Sequence, residues 1–158
     1  MEISLRTATS ADADSVARIY LGSRKTFLDY AQLAHSDAEV TVWITEILIP
    51  GGNVTVAENG PAVVGMMATS TNKNASWIDQ LYVVPDFVGK GVGSRLIEFA
   101  KKNLPCPIRL FTFQQNEGSR RFYTRHGFRL VSETDGKGNE ERCPDALYEF
   151  SQEQYITK

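Results

Sequence analysis

The chain has 158 residues, 42% of them hydrophobic, and a formal charge of −2 because 19 acidic residues outnumber 17 basic ones. This size predicts a single domain over residues 1–158, with a loose tail at 152–158, whose core needs no disulfide or metal. The acidic balance argues against a large nucleic-acid interface. No apolar run is as long as a membrane span, and the N-terminus does not resemble a signal peptide. We therefore expect no membrane contact and a cytoplasmic location.

Hydrophobic periodicity and end signals divide the chain into predicted strands and helices. They are, in order, a strand at 3–7, a helix from 13 through Tyr20, a helix at 36–48, strands at 54–58, 63–69 and 76–84, a helix at 91–103, a strand at 108–113, a helix at 117–126, and strands at 128–132 and 146–150. Asn59 and Gly60 favour a hairpin turn. Gly127 favours a left-handed helix end, with His126 before it near solvent. The order β-α-α-β-β-β-α-β-α-β-β indicates an α/β fold, more closely an α+β mixed sheet, with a parallel pair of strands at its centre.

Three glycines, Gly89, Gly91 and Gly93, alternate with other residues between a predicted strand and a predicted helix. Glycine lets the backbone approach a ligand closely, and the first N–H groups of a helix lack partners and carry partial positive charge. The segment therefore predicts a pyrophosphate site, with Lys90 and Arg95 adding charge at its rim. A tight turn without a ligand is the alternative. The spacing of a Rossmann loop is absent, and a Walker A loop is excluded because no Gly-Lys-Ser/Thr follows.

Two segments of the chain carry paired motifs. In segment 81–93 the motif positions are Leu81, Val83, Pro85, Gly91 and Gly93. In segment 116–128 they are Asn116, Phe122, Tyr123, Gly127 and Phe128, with Ser119 at a position where alanine is common. Together the segments resemble the GNAT superfamily of acyl-CoA-dependent N-acetyltransferases. Val88 departs from that family's pattern, which has glutamine or arginine there, but the family uses the main-chain N–H of this position.

The resemblance implies a splayed pair of parallel strands, 76–84 and 108–113, with the pantetheine arm of acetyl-CoA in the gap between them and no metal. Main-chain groups of the first strand would pair with the pantetheine as a strand does and would polarise the thioester carbonyl. The residues that the resemblance assigns to coenzyme binding are Leu81, Tyr82, Val83, Val88, Gly89, Lys90, Gly91, Val92, Gly93, Ser94, Asn116, Ser119 and Phe122.

Acetyl transfer to an amine needs a neutral amine and an acid that protonates the leaving thiolate. The resemblance places Tyr123 where the family often has that acid, and a structural role in packing and hydrogen bonding is the alternative. Asp79 is the expected base, because an unpaired carboxylate among apolar neighbours on a central strand would be costly. A structural hydrogen bond or salt bridge is the alternative for Asp79, and Glu140 and Glu141 are rival bases.

The resemblance places the amine acceptor between the first two helices and the last hairpin loop, at residues 20–35 and 134–144. Phe27, Tyr30 and Trp77 are expected to form an aromatic wall there. The predicted function is acetyl transfer from acetyl-CoA to a primary amine of a small molecule, directly within a ternary complex. Acetylation of a protein N-terminus or lysine is one alternative, and a non-catalytic acyl-CoA-binding module is another. The oligomeric state is left open between a monomer and a homodimer.

Overall fold

The computed structural model describes residues 2–31 and 33–151, so the tail expected at 152–158 lies outside the described residues. The strands are β1 (Ile3–Thr7), β2 (Val54–Asn59), β3 (Ala62–Thr71), β4 (Ser76–Val83), β5 (Ile108–Phe113), β6 (Arg129–Thr134) and β7 (Asp145–Phe150). The α-helices are α1 (Ala13–Phe27), α2 (Asp37–Trp43), α3 (Val92–Asn103) and α4 (Glu117–Arg125), and a π-helical turn, Ile44–Leu48, continues α2. None of the described helices combines the length and apolar character that a bilayer span needs.

The strands form one mixed sheet in the order β1-β2-β3-β4-β5-β7-β6. Neighbouring strands are antiparallel except for β4 and β5, which are parallel. These two strands pair at only two positions, Ser76 with Ile108 and Trp77 with Arg109. Beyond these two positions the strands separate, so the predicted mixed sheet with a splayed parallel pair is confirmed.

Two hydrophobic clusters pack on opposite faces of the sheet. Met66 and Met67 are neighbours on β3, yet they belong to different clusters, as expected for side chains that alternate across a strand. Met66 is in the same cluster as residues of α1 and of the π-helical turn that continues α2, including Val16 and Ile44. Met67 packs with residues of α3, including Leu96. The helices therefore hold β4 between two packed layers and fix the position of the gap beside it.

Several local predictions hold because short-range chemistry decides them. Gly60 has a φ of 60° in the β2–β3 turn, and Gly127 has a φ of 88° after α4. Ser36 caps α2 by accepting a hydrogen bond from the main-chain N–H of Glu39, while the Glu39 carboxylate accepts one from the N–H of Ser36. Helix α1 is longer than its apolar pattern indicates, since it continues to Phe27. This extension brings polar side chains of its last turns to the sheet.

Candidate active site

A cavity of about 1590 Å³ lies where β4 and β5 separate. Its walls come from β4, the glycine loop before α3, helix α4, the end of α1 and the connection between β6 and β7. Sites for a single small ligand commonly have volumes of roughly 300–1,000 Å³. The cavity therefore has room for a large ligand beside a smaller one.

The glycine loop forms an open cradle at one end of this cavity. Gly89 and Gly91 have φ angles of 80° and 88°, a region that other residues rarely adopt. A Cβ atom built on either glycine would meet no atom within 4 Å, so the space above the loop is free. Because α3 begins at Val92, its unpaired N–H groups follow directly after the cradle. This arrangement suits a phosphate group.

The assigned residues of the loop differ in what their side chains do. Gly93 packs against Phe122, since a Cβ at this glycine would lie 3.1 Å from the ring. Val88 is 53% exposed and lines the cavity. Lys90 lies over the ring of Phe87, with its Nζ 5.2 Å from the ring centre, and is outside the cavity lining. The side chain of Val92 is fully buried in the core, so only its main chain is available to a ligand.

The main chain of β4 lacks a strand partner along the gap. Val84 donates a hydrogen bond to the carbonyl of Val64 on the β3 side. Because hydrogen-bonding directions alternate along an antiparallel pair, Leu81 and Val83 direct their main-chain groups away from β3 and toward the gap. The carbonyl of Val83 accepts a hydrogen bond from Ser23 Oγ at 3.1 Å. The remaining groups are suited to an extended ligand that adds to the strand edge.

Helix α4 forms the other side of the gap. The Oδ1 atom of Asn116 caps this helix by accepting a hydrogen bond from the N–H of Ser119 at 3.1 Å. The cap fixes the side chain and leaves its Nδ2 group as the part that can reach a ligand. Ser119 and Phe122 also line the cavity. The N-terminal end of α4 therefore brings to the cavity three side chains that the resemblance assigns to coenzyme binding.

Tyr123 combines deep burial with contact to the cavity. Its side chain packs among the rings of Phe122, Phe128 and Tyr148, with centroid distances of 5.2, 5.8 and 6.5 Å. The residue is 8% exposed and lines the cavity. Burial, and secondarily the nearby Tyr82, raise the pKa of the Tyr123 hydroxyl above its usual value. The hydroxyl therefore keeps its proton through the neutral pH range.

Asp79 lies at an irregularity in the pairing of β3 with β4. Ala68 pairs with Gln80 and Thr69 pairs with Ile78, which leaves Asp79 as an extra residue on β4. Such bulges redirect side chains, and Asp79 lines the cavity. Asp79 as a whole residue is exposed on the bulge, so its carboxylate is less enclosed than the expectation of apolar neighbours implies. Partial desolvation raises its pKa, and a hydrogen bond with Ser70 lowers it.

The predicted aromatic wall is partly assembled. Phe27 and Tyr30 line the cavity and are 45% and 37% exposed. Tyr30 packs edge-on against Phe113, with a centroid distance of 6.1 Å. Trp77 lies outside the cavity lining and stacks on Phe111, which does line it, at 5.6 Å. The contribution of Trp77 to the wall is therefore indirect.

Arg24 is a residue of this site that the sequence reading missed. It is 5% exposed, and its guanidinium donates to the hydroxyl of Tyr82 at 3.2 Å and to the carbonyl of Ala31 at 3.2 Å. It also pairs with Glu141 at 3.1 Å. Its Nε atom is buried and has no hydrogen-bond partner in the described part of the chain. The available signal was its helical spacing of four residues from the core residue Tyr20, which places Arg24 on the inner face of α1.

The connection between β6 and β7 contacts the end of α1 and the α1–α2 connection beside the cavity. Glu141 reaches the buried Arg24, and Glu140 lies 3.7 Å from Nε2 of His35 in the α1–α2 connection. These contacts join two segments more than a hundred residues apart along one side of the cavity. Among the described residues, no group of three or more His, Cys, Asp or Glu side chains is placed to hold a metal ion.

Known proteins are similar to this chain in sequence and in fold. A family model described as an acetyltransferase (GNAT) domain matches residues 50–130. An uncharacterised N-acetyltransferase of Archaeoglobus fulgidus is 30% identical and covers 86% of this chain and 99% of its own length. The aminoalkylphosphonate N-acetyltransferase of Salmonella typhimurium is 28% identical and covers 79% of this chain and 84% of its own. The PaiA N-acetyltransferase of Thermoplasma acidophilum in complex with coenzyme A has a TM-score of 0.74 at 21% identity, covering 96% and 99% of the two chains.

Proposed function

The chain belongs to the GNAT superfamily of acetyltransferases, and on this premise we propose that it transfers an acetyl group from acetyl-CoA to the primary amine of a small molecule. The predictions of the family, of an acyltransferase and of acetyl-CoA as donor are confirmed. The identity of the acceptor and the roles of individual residues are the proposal.

The residues at the glycine loop and in the strand gap fit coenzyme A. Gly89 and Gly91 leave open space in front of the α3 N-terminus, where a diphosphate would be held. Leu81 and Val83 would hold the pantetheine arm through their main chain, with Asn116 on the opposite side. Acetyl-CoA supplies an acetyl group activated as a thioester. A main-chain N–H of β4 that faces the gap would polarise the thioester carbonyl.

The contact of the β6–β7 connection with α1 at the cavity is the observation that carries the proposal of a small acceptor. A polypeptide substrate needs an open groove through which its chain can pass. The buried Arg24 instead holds Glu141 of the β6–β7 connection against α1 along one side of the cavity, which narrows the space for a polypeptide. The relative from Salmonella typhimurium is named for acetylation of aminoalkylphosphonates, which are small primary amines, and this supports the same class of acceptor here.

Two groups are proposed to handle protons. Tyr123, which stays protonated, donates from its hydroxyl to the leaving sulfur. Asp79 accepts the proton that the acceptor ammonium must lose before it can attack, either directly or through water. Transfer is direct, because Cys106 and Cys143 both lie outside the cavity lining. An acyl-cysteine route would need a thiol inside it.

Replacement of Asp79 with asparagine tests its assignment as the base. Loss of the ionisable carboxylate is expected to remove the acidic limb of the kcat/KM profile, in which activity rises as Asp79 loses its proton. The raised pKa of Asp79 shifts that limb to higher pH than an ordinary aspartate would give. The measurement is the pH–rate profile of both proteins with the same amine. A profile of Asp79→Asn that matches the wild type would eliminate Asp79 and favour Glu140 or Glu141.

An amine panel with acetyl-CoA, followed by release of free thiol, tests the proposed function. The panel contains aminoalkylphosphonates, polyamines, amino-acid amides and short peptides with free N-termini or lysines. Thiol release is expected with at least one small amine and at a higher kcat/KM than with any peptide. Preference for peptides would support acetylation of proteins instead. Binding of coenzyme A without thiol release for any amine would identify a non-catalytic binding module.

A further inference from the structure

The side chains of Ser94 and His126 meet at the coenzyme end of the cavity. Ser94 lies in the first turn of α3 and lines the cavity, and its Oγ atom is 3.0 Å from Nε2 of His126. The other ring nitrogen of His126, Nδ1, lies 3.4 Å from Oε2 of Glu98. The His126 side chain is only 16% exposed. The expectation that this histidine lies near solvent is therefore wrong.

When His126 is neutral, its contact with Glu98 favours the tautomer that carries the hydrogen on Nδ1. An ionised carboxylate can only accept, so Nδ1 carries the hydrogen and Nε2 has the lone pair. Ser94 must then donate its single hydroxyl hydrogen to Nε2. In this arrangement the hydroxyl presents only lone pairs to the cavity, and these repel an anionic ligand.

We propose that His126 is a positioning residue that takes up a proton when a diphosphate binds at the N-terminus of α3, and that this converts Ser94 into a hydrogen-bond donor to the phosphate oxygens. With both ring nitrogens protonated, Nε2–H donates to Oγ of Ser94. The hydroxyl hydrogen is then free to point toward the ligand in a charge-assisted hydrogen bond. The inference rests on the proposed binding of coenzyme A at this loop.

The charges around His126 set the direction of this coupling. Burial is the largest cause that lowers its pKa, and Lys101 on α3 and Arg125 beside it on α4 act in the same direction. Glu98 opposes them, and the Phe122 ring packs on the imidazole at 4.7 Å. The free protein therefore holds the imidazole neutral, whereas a bound diphosphate favours the imidazolium. Because binding raises the pKa, affinity is greatest at low pH and declines as the pH rises through the pKa of the bound state.

Isothermal titration calorimetry with dephospho-CoA tests the proposal. This probe keeps the diphosphate and lacks the phosphate monoester, which itself titrates near pH 6. Titrations near pH 7 in buffers of different ionisation enthalpy give the number of protons taken up. The wild type is expected to take up a fraction of a proton, at most about one, with affinity declining by up to roughly tenfold per pH unit. His126→Gln should take up none, and Ser94→Ala markedly less than the wild type.

His35→Gln is the matched control. His35 and His126 are the two histidines of the chain, and the His35 side chain is 51% exposed at the acceptor end. Proton uptake by this control should equal that of the wild type. Equal uptake by His126→Gln, or undiminished uptake by Ser94→Ala, would overturn the proposal, as would binding by the wild type without uptake. Failure of the wild type to bind dephospho-CoA would refute the proposed donor site as well.

Discussion

Replacement of Tyr123 with phenylalanine is expected to lower kcat by about 100-fold or more, with little change in the Kd of coenzyme A. A positioned acid typically contributes factors of roughly 10² to 10⁴. The substitution removes one hydroxyl and keeps the ring, so the packing against Phe122, Phe128 and Tyr148 is retained. Steady-state kinetics with the best amine and calorimetric titration of coenzyme A measure the two quantities separately.

The raised pKa of Tyr123 determines the pH range over which its hydroxyl can act as an acid. A phenol that ionises above its ordinary pKa of about 10 remains protonated at every pH at which the enzyme is expected to work. It is therefore always able to donate to a developing thiolate. It follows that the pH–rate profile should show no alkaline decline from Tyr123 below about pH 10.

Tyr148→Phe is the control for the Tyr123 experiment. Tyr148 is a buried tyrosine in the same aromatic cluster, 3% exposed, and it lies outside the cavity lining. Its hydroxyl accepts a hydrogen bond from Nε of Arg120 at 2.9 Å, on the side of β6 and β7. Its loss should leave kcat unchanged. If Tyr123→Phe also keeps the wild-type kcat, Tyr123 serves packing alone and a water or another group protonates the sulfur.

The parts of the fold that the sequence predicts are those that local chemistry controls. Gly60 and Gly127 adopt the positive φ angles expected of them, because few other residues adopt these angles without strain. The glycine loop before α3 is predictable for the same reason, since Gly89 and Gly91 also have positive φ angles. The splaying of β4 from β5, which pair at only two positions, is implied by the resemblance alone, since apolar alternation cannot show where two paired strands separate.

The parts that sequence reasoning missed depend on contacts between distant residues. The bulge that exposes Asp79 is a property of the pairing of β4 with β3, and the sequence neighbours of Asp79 do not reveal it. Ser94 and His126 are 32 positions apart, and their hydrogen bond exists only once α3 and α4 lie side by side. Arg24 and Glu141 are 117 positions apart. A helical pattern can place Arg24 on an inner face, but it cannot name the partner that makes burial of the charge tolerable.

Replacement of Arg24 with methionine is expected to weaken both the acceptor site and the fold. Methionine fills part of the volume but leaves Glu141, whose side chain is only 19% exposed, without its cation. Breaking a buried ion pair from one side costs about 3–5 kcal/mol. The residual exposure of Glu141 reduces this to roughly 2–3 kcal/mol. For a chain of this length, Tm should decrease by about 5–10 °C, as measured by thermal unfolding.

Arg24→Met should change the KM of the amine acceptor and have little effect on the binding of coenzyme A. Without the Arg24 contacts, the β6–β7 connection loses its attachment to α1, and the hydroxyl of Tyr82 loses its donor. We expect the KM of the amine to rise roughly tenfold, which corresponds to about 1.4 kcal/mol of lost binding. The Kd of coenzyme A should change little, because the glycine loop and the α3 N-terminus lie at the other end of the cavity.

Lys25→Met provides the comparison for Arg24→Met, since it removes a cation from the adjacent position of the same helix. Lys25 pairs with Asp37 at 2.6 Å, but both side chains are more than 60% exposed, and such pairs contribute between zero and about 1 kcal/mol. Its Tm and amine KM should therefore stay close to the wild-type values. If Arg24→Met behaves like Lys25→Met in both measurements, the Arg24–Glu141 pair does not hold the β6–β7 connection against the cavity. The cavity would then be open on that side in solution, which would remove the main argument for a small acceptor.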